Sequence, residues 1–283
     1  QIVAHEFQVD VDRLRVTASV TDKVPNAPPS AASTGTDLNG QAARIAARTV
    51  KNRLVDFLAG HCKVAPDRVE FRDNRVIAGN HAFSFAELAK LAFLNRVHLS
   101  ATGHYKTPKI WWDRETGRGT PFYYFAYGAA VSEVLVDTGT GEYRFTRTDL
   151  LHDCSGSINP AIDLGQVEGA FVQGLGWLTC EELWWDVKGR LKTHAPSTYK
   201  IPTSRDLPWD FRVRLFDARP NRADTIHRSK AVGEPPLMLA LSGWLALKDA
   251  VAAAGGHRHP VRLDTPATPE RVLMACEAVR GRG

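Results

Sequence analysis

Asn159-Pro160-Ala161-Ile162-Asp163-Leu164-Gly165-Gln166-Val167-Glu168-Gly169-Ala170-Phe171-Val172-Gln173-Gly174-Leu175-Gly176 is the stretch on which the reading of the fold turns. Asn159 offers a capping oxygen and Pro160 a preset φ at the first helical position, so a helix opens here and runs to about Leu178. Ala161, Gly165 and Gly169 recur every four residues and form one bare helical stripe. Each interior glycine costs roughly 1 kcal/mol relative to alanine, so the stripe implies tight packing against a backbone or contact with a ligand. Gln166, beside it, can both donate and accept hydrogen bonds.

Upstream, residues 122–136 and 143–151 read as two strands around Asp137-Thr138-Gly139-Thr140-Gly141-Glu142, whose glycines supply positive φ at a hairpin turn. That Gly-x-Gly is no nucleotide loop, because it lacks a third glycine and a following helix. Residues 13–20 alternate like a strand, and residues 25–35 form a loop of small and turn-forming residues. Thr36 or Asp37 then caps a helix through about Leu58. Residues 68–77 read as short strands around a turn, and Ser84 with Glu87 forms a capping box for a helix to Phe93. Downstream, 191–201 and 211–215 read as extended, and a last long helix opens at Pro235-Pro236 and ends at Gly255-Gly256. Strands and helices interleave without a regular repeat, which makes the chain α+β, with two subdomains over about 1–120 and 121–283.

The net charge of +5 does not indicate nucleic acid, because Lys and Arg are scattered among Asp and Glu with no basic stripe. Cys62, Cys154, Cys180 and Cys276 lie far apart, which argues against a zinc site or a disulfide framework and fits a reducing cytoplasm. The apolar run 237–247 is too short to span a bilayer and reads as a buried helix, so no membrane segment is expected. Gln1 opens in mid-helix pattern without an initiator Met, so the chain is expected to start inside a domain.

Glu234 stands in Lys230-Ala231-Val232-Gly233-Glu234-Pro235-Pro236, where a residue before proline is held out of the α region and the second proline stiffens the chain beyond it. A carboxylate so directed suits a general base, and equally a helix cap. Ser30-Ala31-Ala32-Ser33-Thr34-Gly35-Thr36 combines tiny side chains and hydroxyls just before a helix, so it reads as an anion cradle or as an ordinary loop. His152-Asp153-Cys154 is too compressed for a catalytic triad, and His257 and His259 lie in a loop expected to be exposed.

Taken in order, these motifs resemble the C-terminal molybdopterin-binding half of the large subunit of the xanthine dehydrogenase and aldehyde oxidase superfamily. The carrying segments are Val24-Pro25-Asn26, Ser30 to Ser33, Asp37-Leu38-Asn39-Gly40-Gln41-Ala42, the 159–176 stretch, Pro196-Ser197-Thr198-Tyr199-Lys200-Ile201-Pro202, and Ser229 to Pro236. The resemblance implies a molybdenum-molybdopterin cofactor with oxo, sulfido and hydroxyl ligands. In that family the metal's hydroxyl loses its proton to a glutamate and attacks an electron-poor purine carbon, whose hydride passes to the sulfido ligand. Glu234 matches the glutamate. Ala32 would lie against the molybdenum, with Ala31, Ser33, Gly35, Gln166, Lys230 and Gly233 around the cofactor.

Family likeness also implies 2Fe-2S, FAD and NAD in the complete enzyme, outside this chain. The partners would be the upstream half of the molybdenum subunit, an iron–sulfur and flavin subunit or domain, and a second copy in a dimer. Hypoxanthine or xanthine is the implied substrate, with urate as product. An aldehyde-oxidising relative and a non-catalytic cofactor-binding or assembly domain are the other readings. One departure is local: at Asp153-Cys154-Ser155-Gly156-Ser157 the family usually has an aliphatic residue and then a glycine.

Overall fold

Apolar residues spaced three and four apart in residues 41–62 give helix α2 (Gln41–Cys62), and the short helix α1 (Ile2–Phe7) lies across its start. A side chain at Gly40 would meet Ile2 Cδ1 at 2.7 Å, so that glycine permits the crossing. These helices belong to the computed structural model of the chain, which describes residues 1–22, 31 and 33–281. It divides into two units, Gln1–Tyr123 with Ala223–His227, and Tyr124–Arg222 with Arg228–Gly283. The mixture of helices and small sheets is α+β.

In the first unit, α2 is preceded by one π-helical turn, Thr36–Gly40. Neither Thr36 nor Asp37 is the cap: Gly35 takes that position with helical φ and ψ and no side-chain cap bond. Strands β1 (Val69–Arg72), β2 (Arg75–Ala78) and β3 (His81–Ser84) form an antiparallel meander. Helix α3 (Phe85–Leu94) comes next with the expected capping box, Glu87 N–H to Ser84 Oγ at 3.2 Å and Ser84 N–H to Glu87 Oε2 at 2.7 Å. Phe7, Leu54, Leu58, Phe71, Val76 and Leu88 close the core between them. A two-stranded ribbon, β4 (Trp111–Asp113) with β5 (Arg118–Thr120), completes the unit.

In the second unit, β6 (Gly128–Val136) and β7 (Tyr143–His152) form the expected hairpin, with Gly141 at φ +77°. The register shifts between Glu133 and Val134, which carries the inward alternation of β7 from Phe145 to Thr148, Leu150 and His152. Strand β8 (Asp210–Leu215) joins β7 in parallel. Helices α4 (Pro160–Thr179), α5 (Leu241–Ala254) and α6 (Pro269–Arg280) bury Phe171, Leu175, Leu247, Val251, Val272 and Cys276 with Phe145 and Leu150 of the sheet. Asn159 caps α4 through Ile162 N–H at 3.3 Å.

Three further expectations change. Residues 13–20 form no strand and Val16 is 95% exposed, because alternation makes a strand only where another strand supplies the hydrogen bonds. Residues 191–201 are turns and irregular backbone, with a lone bridge from Leu191 to Trp185. The Pro235 helix is split, starting as a 3-10 segment (Pro235–Ala240) before α5. By length and composition Pro235–Ala254 could cross a membrane. Its Ala240, Leu247 and Val251 are fully buried in the second core, while Met238, Leu241 and Leu245 are exposed. Helix α6, announced by Thr268-Pro269, adds an element beyond those expected.

A Cβ at Gly174 of α4 would stand 2.6 Å from the Leu237 carbonyl oxygen and 2.7 Å from Ala240 Cβ. Gly174→Ala is therefore predicted to destabilise the chain by about 1–3 kcal/mol through overpacking. A urea midpoint equal to that of the parent protein would contradict this packing.

Candidate active site

The site in the second unit is built from the end of β7. Asp153 N–H donates to the Tyr127 carbonyl at 2.8 Å, and Lys230 N–H donates to the Cys154 carbonyl at 2.9 Å. Ser155 bridges to Ser229 in antiparallel fashion. The Lys230 ammonium pairs with the Asp153 carboxylate, and the two side chains are only 10% and 17% exposed. The same ammonium lies 5.0 Å from the centre of the Tyr127 ring, a cation–π contact. Ala231 N–H donates to the Tyr124 hydroxyl at 2.9 Å, and Asn221 Nδ2 donates to the Ser229 carbonyl at 3.1 Å. Backbone, ion pair and two tyrosines thus hold residues 229–231 in one place.

Glu234 comes three residues later. Contrary to the pre-proline expectation, it takes helical angles, φ −93° and ψ −38°. Its carbonyl accepts the first bond of the 3-10 segment, from Leu237 N–H at 3.0 Å, and this bond offsets the steric cost of the conformation before proline. The carboxylate makes no cap bond to its own helix, so the capping role is not the one it has here. Glu234 is exposed on this chain.

The 3-10 segment lies on α4 at Gly174, eight residues beyond Gln166, or roughly 12 Å along the helix axis. The Ala161, Gly165, Gly169 stripe behaves differently from Gly174. Nothing lies within 4 Å of a Cβ built at Gly165 or Gly169, so the expected helix packing is not found there. Gln166 is exposed, and its carboxamide has no hydrogen-bond partner among the described residues. An open cradle of two glycines with an uncommitted amide suits a flat, hydrogen-bonding group that two methyl groups would exclude.

The hydroxyl-rich loop belongs to the first unit. Ser33 adopts φ +54°, Thr34 Oγ1 donates to the Ala31 carbonyl at 2.8 Å, and Leu38 N–H donates to the Thr34 carbonyl at 2.8 Å. Gly35 has open space where a side chain would stand. Ala32, Ser30 and Val24-Pro25-Asn26 lie outside the described residues. Among the described residues no three His, Cys, Asp or Glu side chains could together hold a metal ion.

Sequence reasoning missed Asp153, Tyr124, Tyr127 and Asn221. The signal at Asp153 was available, since inward alternation at Thr148, Leu150 and His152 turns the next residue outward at the end of the strand. The departure at Ser155 proves harmless to the turn. Ser155 takes φ +52°, and Asp153 Oδ1 accepts from its N–H at 3.0 Å and its Oγ at 3.1 Å, which supports the left-handed conformation. Cys154 is buried and its thiol is pushed up to about 11, chiefly by desolvation, so it is an apolar filler in place of an aliphatic side chain.

The family of molybdopterin cofactor-binding domains matches residues 1–208. The chain is 43% identical over 282 residues to a xanthine dehydrogenase/oxidase of Felis catus, covering 98% of this chain and 20% of that protein. It is 44% identical over 286 residues to a xanthine dehydrogenase of Oryza sativa subsp. japonica, with 98% and 19% covered. The chain thus spans about a fifth of the length of these relatives. Among solved structures, the Cu,Mo-CO dehydrogenase superposes with a TM-score of 0.79 at 23% identity, covering 98% of this chain and 34% of that one. The aldehyde oxidoreductase of Desulfovibrio gigas superposes with a TM-score of 0.72 at 24% identity, covering 97% and 26%. The chain belongs to the molybdopterin cofactor-binding domain family.

Proposed function

We propose that this chain is the C-terminal active-site portion of a molybdenum hydroxylase that oxidises hypoxanthine and xanthine to urate, with Glu234 as the general base. The observation that carries the reading is an exposed Glu234 carboxylate that does not cap its own helix, on a segment that the Lys230–Asp153 pair holds in place. When bound, the molybdenum cofactor supplies the two-electron oxidation and activates the water from which the product oxygen comes. Glu234 accepts the proton at a carboxylate oxygen. Gln166 orients the pterin through its amide, and Gly165 and Gly169 let the pterin approach. Ala31, Ala32, Ser33 and Gly35 offer the anion-binding loop on the first unit, with Ala32 the residue against the metal. Gly233 is the cofactor-side neighbour of Glu234 on this reading, while Lys230 contributes by fixing the segment through Asp153.

Purines are favoured over aldehydes because relatives named xanthine dehydrogenase are 43–44% identical, whereas the aldehyde oxidoreductase likeness stands at 24% and concerns the fold. On this reading the chain works with an upstream half of the molybdenum subunit and with iron–sulfur and flavin partners that pass electrons to NAD. The assembly is a cytoplasmic dimer.

In the enzyme assembled around this chain, Glu234→Gln is predicted to lower the rate of reduction by xanthine by roughly 10²–10⁴-fold, the usual worth of a general base, with molybdenum content unchanged. Stopped-flow reduction checks it, and retained turnover would refute the role. Faster reduction by an aldehyde than by xanthine would favour the aldehyde reading. Gly165→Ala and Gly169→Ala should each leave folding stability equal or raise it by up to about 1 kcal/mol, while lowering bound pterin. Full pterin content in both variants would remove the glycine cradle from the site.

A further inference from the structure

His152 is the last residue of β7 and is 2% exposed. It pairs with Gly128 on β6 and Leu215 on β8. Its Nδ1 and Leu239 Cδ2 both crowd the space a side chain at Gly128 would need, at 3.4 and 2.9 Å. The imidazole and the Leu239 side chain of the 3-10 segment that carries on from Glu234 thus both approach Gly128. Above it passes the Ala231 backbone, which pulls its proton affinity up by less than burial pushes it down. No hydrogen bond of proper geometry reaches either ring nitrogen among the described residues. A buried imidazole without a well-formed hydrogen bond is costly, and this one lies by the Ala231 backbone at one end of the Glu234 segment and near the place where Leu239 meets Gly128.

We infer that His152 is a positioning residue for Glu234: its neutral ring props residues 231–239 against the sheet, and a proton on the ring lets that segment open. The inference rests on the reading of Glu234 as the proton acceptor. The charged groups that face the ring are Asp153, next in the chain, and Lys230 from the segment above. Gly128, Leu215 and Leu239 bring no charge. Asp153 already serves Lys230 at Oδ2 and the Ser155 N–H and Oγ at Oδ1, and it makes no hydrogen bond to the ring. A second cation beside Lys230 in a dry site must find water, and the way to water is to lift the segment. Folding depresses the ring's proton affinity, so the closed segment is fully stable above about pH 6.5 and loses stability as pH falls below it.

The test is hydrogen–deuterium exchange of the 228–240 peptide in the assembled enzyme, corrected for intrinsic rates, between pH 7.5 and pH 5. In the parent protein, protection is expected to fall at least tenfold on the acid side, while the 41–62 helix peptide stays constant. In His152→Gln the fall should shrink to less than twofold, and His152→Met serves the same purpose if the glutamine variant does not fold. An equal fall in the variants, or a flat parent profile, would overturn the inference. Glu234→Gln separates the two readings: it should keep the acid-linked exchange, and if it also keeps turnover, the base assignment fails while the positioning role of His152 in the segment stands.

Discussion

One ion pair fixes the segment that matters. Lys230 and Asp153 are both largely removed from water, and burying two charges gains little net stability over an apolar pair of the same size. Breaking such a pair on one side costs roughly 3–5 kcal/mol, because the remaining charge is stranded. Its value is therefore in position: it joins the end of a core strand to a loop four residues before Glu234. The tyrosine hydroxyl on Ala231 and the asparagine on Ser229 finish the work the pair begins.

Two kinds of glycine on one helix divide α4 by function. Gly174 is filled by the backbone of the segment after Glu234, so it belongs to the core. Gly165 and Gly169, four residues apart, face open space, whereas Gly174 lies five residues beyond Gly169 and off that stripe. Absence of a side chain is thus used once for close helix packing and once to leave room. The open half of the helix is the half that carries Gln166, and on the proposed reading the pterin would find room and a hydrogen-bonding partner there.

Elements with their own local signals were legible in the sequence. The Asn159-Pro160 start of α4, the Ser84–Glu87 capping box, the Gly141 turn and the break at Gly255 were all readable because each is decided within a few residues. Residues 13–20 failed because a strand needs a partner that local alternation cannot reveal. The conformation of Glu234 was not legible, since a hydrogen bond from Leu237 outweighed the local preference set by Pro235. Its support was invisible: Asp153, Tyr124 and Asn221 reach the segment from 77, 107 and 8 residues away, contacts that only the fold creates.

The buried pair, on this view, aims the proton-accepting carboxylate. The most direct test is the double variant Asp153→Asn with Lys230→Met, which leaves no charge stranded, followed by rapid mixing with saturating xanthine under anaerobic conditions. Full molybdenum content with reduction slowed at least tenfold is the predicted result. Full content with the parent rate would contradict it.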